Sequence, residues 1–377
     1  MPYKIALLSK YPPLEGGIAA KTYWLARGLV ERGHEIHVIT NGISAGREYQ
    51  IEGGDKEPAI TPNSWVHRPS NEIPWHIPND NENALALLDM AINIVREYSI
   101  QILDTGYLIP YGVLGHLTKC STGVYHVIRH GGSDLEKFLK RQILGTLLNE
   151  AITHADMVVT NTHYRNLLER MTPRLVTQPA YVPDDRVFTS SDIQRPQYRL
   201  AVIGKINYHW QHKNLHLIAD IMRQLTDQFE CWVVAQGKGM ADFQQSLGSE
   251  TMASFKWYPF VAPWGVPQLL NQLDGIFIFE SGLPHTVVSN LALEAISSGI
   301  SIITDRVDFT ETYRDIVEID KNQIVVVSPS DSASAAAMIK QWIKDREHDK
   351  CSSRPLVNFQ EYLSANENLY ASILSAH

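Results

Sequence analysis

Residues 280–305 read ESGLPHTVVSNLALEAISSGISIITD. The stretch opens as a loop of Gly, Pro, Ser and His, continues as an apolar helix over 289–298, and ends in a β-branched strand over 300–304. The strand before it, 275–279, is a continuous apolar run, the pattern of a strand buried on both faces of a parallel sheet. Strand, polar loop, helix, strand is a βαβ unit, in which the loop after the first strand and the helix N-terminus face a ligand. Thr286, Ser289 and Asn290 place hydroxyl, amide and backbone N–H groups there, a set suited to an anion such as a diphosphate. Glu294 stands one turn inside the helix, where a carboxylate reaches a ribose diol. The competing reading is a plain helix cap followed by a solvent-facing Glu.

The rest of the chain repeats this style. At 377 residues it is long enough for two domains of ordinary size. Hydrophobic residues make up 44% and charged residues 20%, as in a globular enzyme. The net charge of −8 argues against nucleic acid as the main partner, so any anion site must be a local cationic cluster. Cys120, Cys231 and Cys351 are scattered, with no CxxC pair, which fits a reducing cytoplasm. The sequence runs directly into a strand with no signal-peptide pattern, and no apolar run is long enough to span a bilayer. Peripheral contact at the inner face of a membrane is left open.

The chain opens as strand 4–9, loop 10–17 (KYPPLEGG), helix 18–32, and strand 35–40. Pro12 and Pro13 stiffen the loop, and Gly16 and Gly17 let a substrate approach the backbone ahead of a helix. A tight turn with no ligand reads equally from two glycines. Residues 47–83 are polar and Pro-rich, with no helical period, and read as an ordered loop around Trp65, Trp75 and His76. Helix 83–97, strand 100–104, turn and helix 106–118, and strand 123–128 follow. That strand runs into Arg129-His130-Gly131-Gly132-Ser133-Asp134, which puts His130 over the carboxyl edge of the sheet. A hydrogen-bonded structural histidine is the alternative. Helix 135–151 carries Lys137, Lys140 and Arg141, a small basic face. Strand 155–160 comes next, and 179–188 reads as the interdomain linker.

A second α/β series begins at strand 198–203. Gly204-Lys205 and a loop to Lys213 follow, then helix 215–225, strand 231–235, the turn Gly237-Lys238-Gly239, an edge-like strand 255–260 and helix 266–272. After the opening stretch come strand 324–327 and helices 332–346 and 359–374.

This order of residues resembles the GT-B glycosyltransferases, specifically the large retaining group 1, family 4. YPPLEGGIAAKTYWLARGLVERGHEIHVIT is similar to that family's Pro-rich Gly-Gly loop, first helix and RGHEVHV strand. VIRHGGSDL resembles its His-Gly-Ser-Asp segment, IGKINYHWQHKN its GR…KG phosphate segment, and AQGKG its glycine turn. NLALEAISSGISII resembles its LLEAMAxGxPVI helix. The resemblance spans nearly the whole chain. It implies an α/β fold of two Rossmann-like domains facing across a cleft, with 1–180 on the acceptor side, 181–188 as linker, 189–358 holding the nucleotide sugar, and 359–377 crossing back as a helix.

The resemblance also implies roles. Lys205 stands where an Arg is usual and Lys213 matches the usual Lys; both neutralise the donor diphosphate in place of a metal. A fixed ammonium there helps the transition state more than the ground state, because the leaving diphosphate gains charge. Lys lacks the bidentate fork of Arg, so Lys205 holds phosphate less directionally. His130 matches the His that faces the donor sugar, and Glu294 the ribose-binding Glu. Gly16, Gly17, Gly204, Gly237, Val288, Ser289 and Asn290 complete the donor-binding set. No metal and no cofactor is expected beyond the nucleotide sugar itself.

Two departures stand out. The family's second Glu, eight positions before the one matching Glu294, is here Thr286, which leaves Glu280 and His285 as candidate sugar contacts. VDFTE, 307–311, replaces a Gly-Gly-x-x-Glu turn and keeps only Glu311. The activity implied is transfer from a UDP- or GDP-sugar to a hydroxyl of a glycan, glycolipid or small molecule. The alternatives are a catalytically silent binder of nucleotide sugar or glycan, and a nucleotide-sugar epimerase of the same fold.

Overall fold

The computed structural model describes residues 2–43, 50–51, 63–69, 81–139, 142–190, 196–207, 210–225, 228–248, 255–281, 288–328, 330–346 and 353–375. The chain divides into two compact units, Met1–Tyr181 with Gln360–His377, and Val182–Phe359.

The first unit is built on strands β1 (Lys4–Leu8), β2 (Glu35–Ile39), β3 (Ser64–His67), β4 (Ile102–Gly106), β5 (Tyr125–Arg129), β6 (Met157–Thr160) and β7 (Leu175–Thr177). They pair in the order β3-β2-β1-β4-β5-β6-β7, all parallel. Helices α1 (Gly17–Glu31), α2 (Asn81–Glu97), α3 (Val113–Thr122), α4 (Ser133–Phe138), α5 (Gln142–His154) and α6 (Thr162–Leu168) connect them. The central strands are apolar where both faces are covered: KIALL of β1 is buried from Ile5 onward. Helix α1 stops where the sequence supplies Gly33, at φ +91°, whose N–H bonds the carbonyl of Val30 at 2.8 Å.

Two sequence expectations change here. Part of 47–83 is not loop: Ser64–His67 is a strand in register with β2, Ile36 opposite Ser64 and Ile39 opposite His67. The single helix read over 135–151 is two, α4 and α5. Gly145 marks the corner, since a Cβ there would lie 2.5 Å from the carbonyl oxygen of Leu139. Trp75, His76, Lys140 and Arg141 lie outside the described residues.

The second unit repeats the winding. Strands β8 (Tyr198–Lys205), β9 (Phe229–Gln236), β10 (Phe255–Tyr258), β11 (Gly275–Ile278), β12 (Ser301–Thr304) and β14 (Ile324–Val326) form a sheet in the order β10-β9-β8-β11-β12-β14. All its neighbours are parallel. Helices α7 (Leu215–Gln224), α8 (Met240–Leu247), α9 (Val266–Leu270), α10 (Asn290–Ser297), α11 (Phe309–Tyr313) and α12 (Ser332–Arg346) complete it, with a short pair β13 (Val317–Glu318) and β15 (Arg354–Pro355). Residues 182–188, read as linker, belong to this unit, and Val182, Asp184 and Phe188 are buried.

The last helix, α13 (Phe359–Ser375), packs on the first unit. Arg32 donates to Ser364 Oγ at 3.0 Å and to the Gln360 carbonyl at 2.7 Å, and pairs with Glu367. Deeper in, the Tyr370 hydroxyl donates to Asp104 at 2.7 Å and Arg129 donates to Asn366 at 2.6 Å. Among the described residues no helix is long and apolar enough to cross a membrane.

Candidate functional site

In the second unit β8 has β9 on one side and β11 on the other. The connections leaving β8 and β11 therefore diverge, and this is where open α/β sheets bind ligands. Lys205 ends β8, after Gly204 at φ +128°, a backbone geometry that an L side chain resists. The chain then returns, and Lys213 Nζ reaches the Lys205 carbonyl oxygen at 3.5 Å.

One carboxylate ties three loops together at this edge. Asp305, just past β12, accepts the N–H groups of Glu280 and Ser281 at 2.8 and 3.1 Å. It also accepts the Ser281 hydroxyl at 2.7 Å and the Asn214 amide at 2.8 Å. Asn214, at φ +50°, opens α7 one residue after Lys213. The loops leaving β8, β11 and β12 are thereby held in fixed relation.

Glu280 sits within that arrangement. Burial raises its carboxyl pKa and Asp305 adds to the rise, while the charges of Lys213 and Arg306 oppose it. Arg306 is itself buried, and holds Asp308 through Nε and Nη2 at 3.0 and 2.7 Å. That pair holds the Asp308 carboxyl below its usual range. The AQGKG turn is fixed by backbone contact: a Cβ on Gly237 would lie 2.5 Å from the Ile206 carbonyl oxygen, and one on Gly239 2.1 Å from that of Asn207.

Helix α10 begins with Ser289 as its cap, the hydroxyl accepting the Ala292 N–H at 3.4 Å. The Ser289 N–H goes to the Tyr313 hydroxyl at 2.8 Å. Both groups expected to face an anion are thus engaged within the unit. Val288 and Asn290 flank the cap, each half-buried. Glu294 is buried at 5% exposure on the next turn, which removes the reading of a solvent-facing carboxylate. Thr286 and His285 lie outside the described residues. Glu311 is exposed and pairs with Arg314.

The remaining expected residues belong to the first unit. Gly16, at φ +140°, caps α1 without a side chain, and Gly17 is exposed at the helix start. His130 is buried. Its Nδ1 accepts the Gly132 N–H at 3.1 Å, so Nε2 carries the proton and donates to Thr160 Oγ1 at 2.8 Å. Burial, with the charge of Lys21 second, lowers its pKa to about 3. The imidazole is therefore neutral and fully occupied in shaping the Gly131-Gly132 loop. Asp134 does the same from the other side, accepting the N–H groups of Gly131, Leu135 and Leu108 at 2.9, 3.1 and 2.9 Å.

Sequence reasoning passed over Asp305, Arg306 and Lys21. Asp305 and Arg306 had a usable signal, since they directly follow a β-branched strand of a parallel sheet. Lys21 had none, because a lysine on an early helical turn ordinarily faces water.

Residues 15–169 match the family described as Glycosyltransferase Family 4, and residues 197–345 match Glycosyl transferases group 1. The two matches together take in both units. The chain belongs to the group 1, family 4 glycosyltransferases. This glycosyltransferase is 25% identical over 207 residues to N-acetyl-alpha-D-glucosaminyl L-malate synthase of Bacillus anthracis, a match covering 52% of the chain and 51% of the relative. It thus spans about half the length of the curated relative it matches. Sucrose-phosphate synthase of Thermosynechococcus elongatus superposes over all of both chains with a TM-score of 0.70 at 13% identity. HepE of Anabaena, solved in complex with UDP, gives 0.59 at 14% identity over 98% of this glycosyltransferase and 94% of HepE. At these identities the likeness is one of fold.

Proposed function

We propose that the protein transfers a sugar, with retention at the anomeric carbon, from a UDP- or GDP-sugar to an acceptor hydroxyl without a metal ion. The observation that carries this reading is the placing of Lys213 at the switch point of the second sheet, next to the end of β8 and acting on Glu280 together with Arg306. HepE, a neighbour in fold, was solved with UDP, which favours a nucleoside diphosphate donor here.

In this reading the bond from the anomeric carbon to the β-phosphate oxygen breaks and charge collects on the diphosphate. Lys205 and Lys213 stabilise that charge as it forms. Glu294 takes the ribose hydroxyls. Glu280, half-buried beside two cations, takes sugar hydroxyls in place of the carboxylate lost at Thr286. The leaving phosphate oxygen accepts the acceptor's proton on the face it has just left, so the configuration is kept.

Lys213→Ala is expected to lower turnover about 10²–10³-fold, the cost of losing one preorganised charge at a developing anion. Unchanged transfer and donor hydrolysis in that variant would defeat the assignment. A thermal-shift ranking of UDP, GDP and their sugars identifies the base, because a site-specific ligand stabilises by mass action. Activity should survive chelation, and the product anomer should match the donor by NMR.

A further inference from the structure

The first unit holds two small cavities at the carboxyl edge of its sheet, of about 20 Å³ and 10 Å³, roughly one water each. Both are lined by Lys21, Arg129 and Ala180, and the larger also by Asp104, whose carboxylate is turned to Arg129 Nε and Nη2. A cavity of this size in a protein interior is usually apolar or shared with neutral polar groups. This one is flanked by two buried cations, Lys21 at 9% and Arg129 at 5% exposure.

Their partners do not use them up. Asp104 binds Arg129 through Nε at 2.8 Å and Nη2 at 2.7 Å, and is further held by the Tyr370 hydroxyl. Arg129 Nη2 also serves Asn366. Arg129 Nη1, on the remaining corner, is buried with no hydrogen-bond partner among the described residues. A buried guanidinium N–H left unmet is costly unless something fills the space beside it. Asp134, the other acid acting on Lys21, spends its oxygens on three backbone N–H groups and lines neither cavity.

We infer that Lys21 and Arg129 form an anion subsite in the first unit that takes one carboxylate group of the acceptor, so that the acceptor carries both a hydroxyl and a carboxylate. The inference rests on the transferase reading for the word acceptor; the carboxylate site itself does not. A planar carboxylate is the smaller and flatter oxyanion for spaces of this size, whereas a tetrahedral phosphate needs more room. Burial and the charge of Arg129 lower the Lys21 pKa to about 8, against the opposing charges of Asp134 and Asp104.

The test is calorimetric titration of the full chain, without donor, with glycolate and glycerate. Glycerol and glycolamide are the neutral controls and methyl phosphate the tetrahedral one. Saturable binding of the two carboxylates only, weakened at least about tenfold in Lys21→Met and retained in Lys21→Arg, is expected, as for a lost charge-assisted hydrogen bond. The unliganded melting temperature of each variant is the folding control. Equal binding of glycerol, tighter binding of methyl phosphate, or an unchanged affinity in Lys21→Met overturns the subsite. If UDP binds the wild type in the same series and the carboxylates do not, this inference falls alone. If the carboxylates bind and no nucleotide does, the transferase reading falls and the subsite stands.

Discussion

The two sheets are wound alike and furnished differently. In the first unit the polar residues at the carboxyl edge are part of the core: Asp104, Arg129 and His130 are all buried, and α13 adds Tyr370 to the bonding of Asp104 and Asn366 to that of Arg129. In the second unit Lys205 at the end of β8, and Lys213 and Glu280 beyond the strands, stay half-exposed, and the acid beside them, Asp305, is spent on backbone, hydroxyl and amide donors. The same winding therefore yields one edge whose charges are sealed in the interior and another whose charges stay near the surface. Breaking the buried Asp104–Arg129 pair should cost stability, whereas removing Lys213 should cost function.

The largest stability effect is expected from Asp104→Ala. It strands a buried guanidinium, and about 3–5 kcal/mol should be lost in chemical denaturation. A loss below about 1 kcal/mol would erase the contrast.

Acid should also act on the first unit. Burial lowers the pKa of His126 and of His130 to about 3, against roughly 6.5 unfolded. The unfolded chain therefore gains protons below pH 6.5 that the native chain refuses. Stability is full above that pH and falls as pH drops, by about 2.7 kcal/mol per pH unit for the two groups together. Burial lowers His37 and His67 in the same direction. Among the described residues the second unit has no buried histidine. Hydrogen exchange at pH 5 should show β4 and β5 losing protection before β8 and β9.

Gly237→Ala tests the part of the second unit that is structural. The added methyl would press on the Ile206 carbonyl at an unfavourable φ, and about 1–3 kcal/mol should be lost. The smallest stability effect belongs to Lys213→Ala, whose melting temperature should stay within about 2 °C of wild type while turnover collapses. A matching loss of stability would make Lys213 a structural residue like Asp104.

Much of this was legible in the sequence, for definite reasons. The apolar runs of β1, β8, β11 and β12 are strands covered on both faces, and that pattern is local. The helix read over 289–298 is α10, which Ser289 caps and which ends ahead of Gly299 at φ +69°. Strand β3 was not legible, because Ser64–His67 is a strand only by pairing with β2, with Trp65 and Val66 left partly exposed. The role of Asp305 was hidden for the same reason, since its partners lie 24, 25 and 91 residues away. His130 was correctly placed at a sheet edge. What sequence could not show is that Gly132 and Thr160 occupy both its nitrogens.

The packing of α13 on the first unit bears on how the chain is made. A ribosome exports the Asp104–Arg129 pair more than two hundred residues before Asn366 and Tyr370. The earlier half must wait, with an unfinished interior, while the whole later half is synthesised and has time to fold. Shortening the chain ahead of Asn366 should thus injure the half that was translated first.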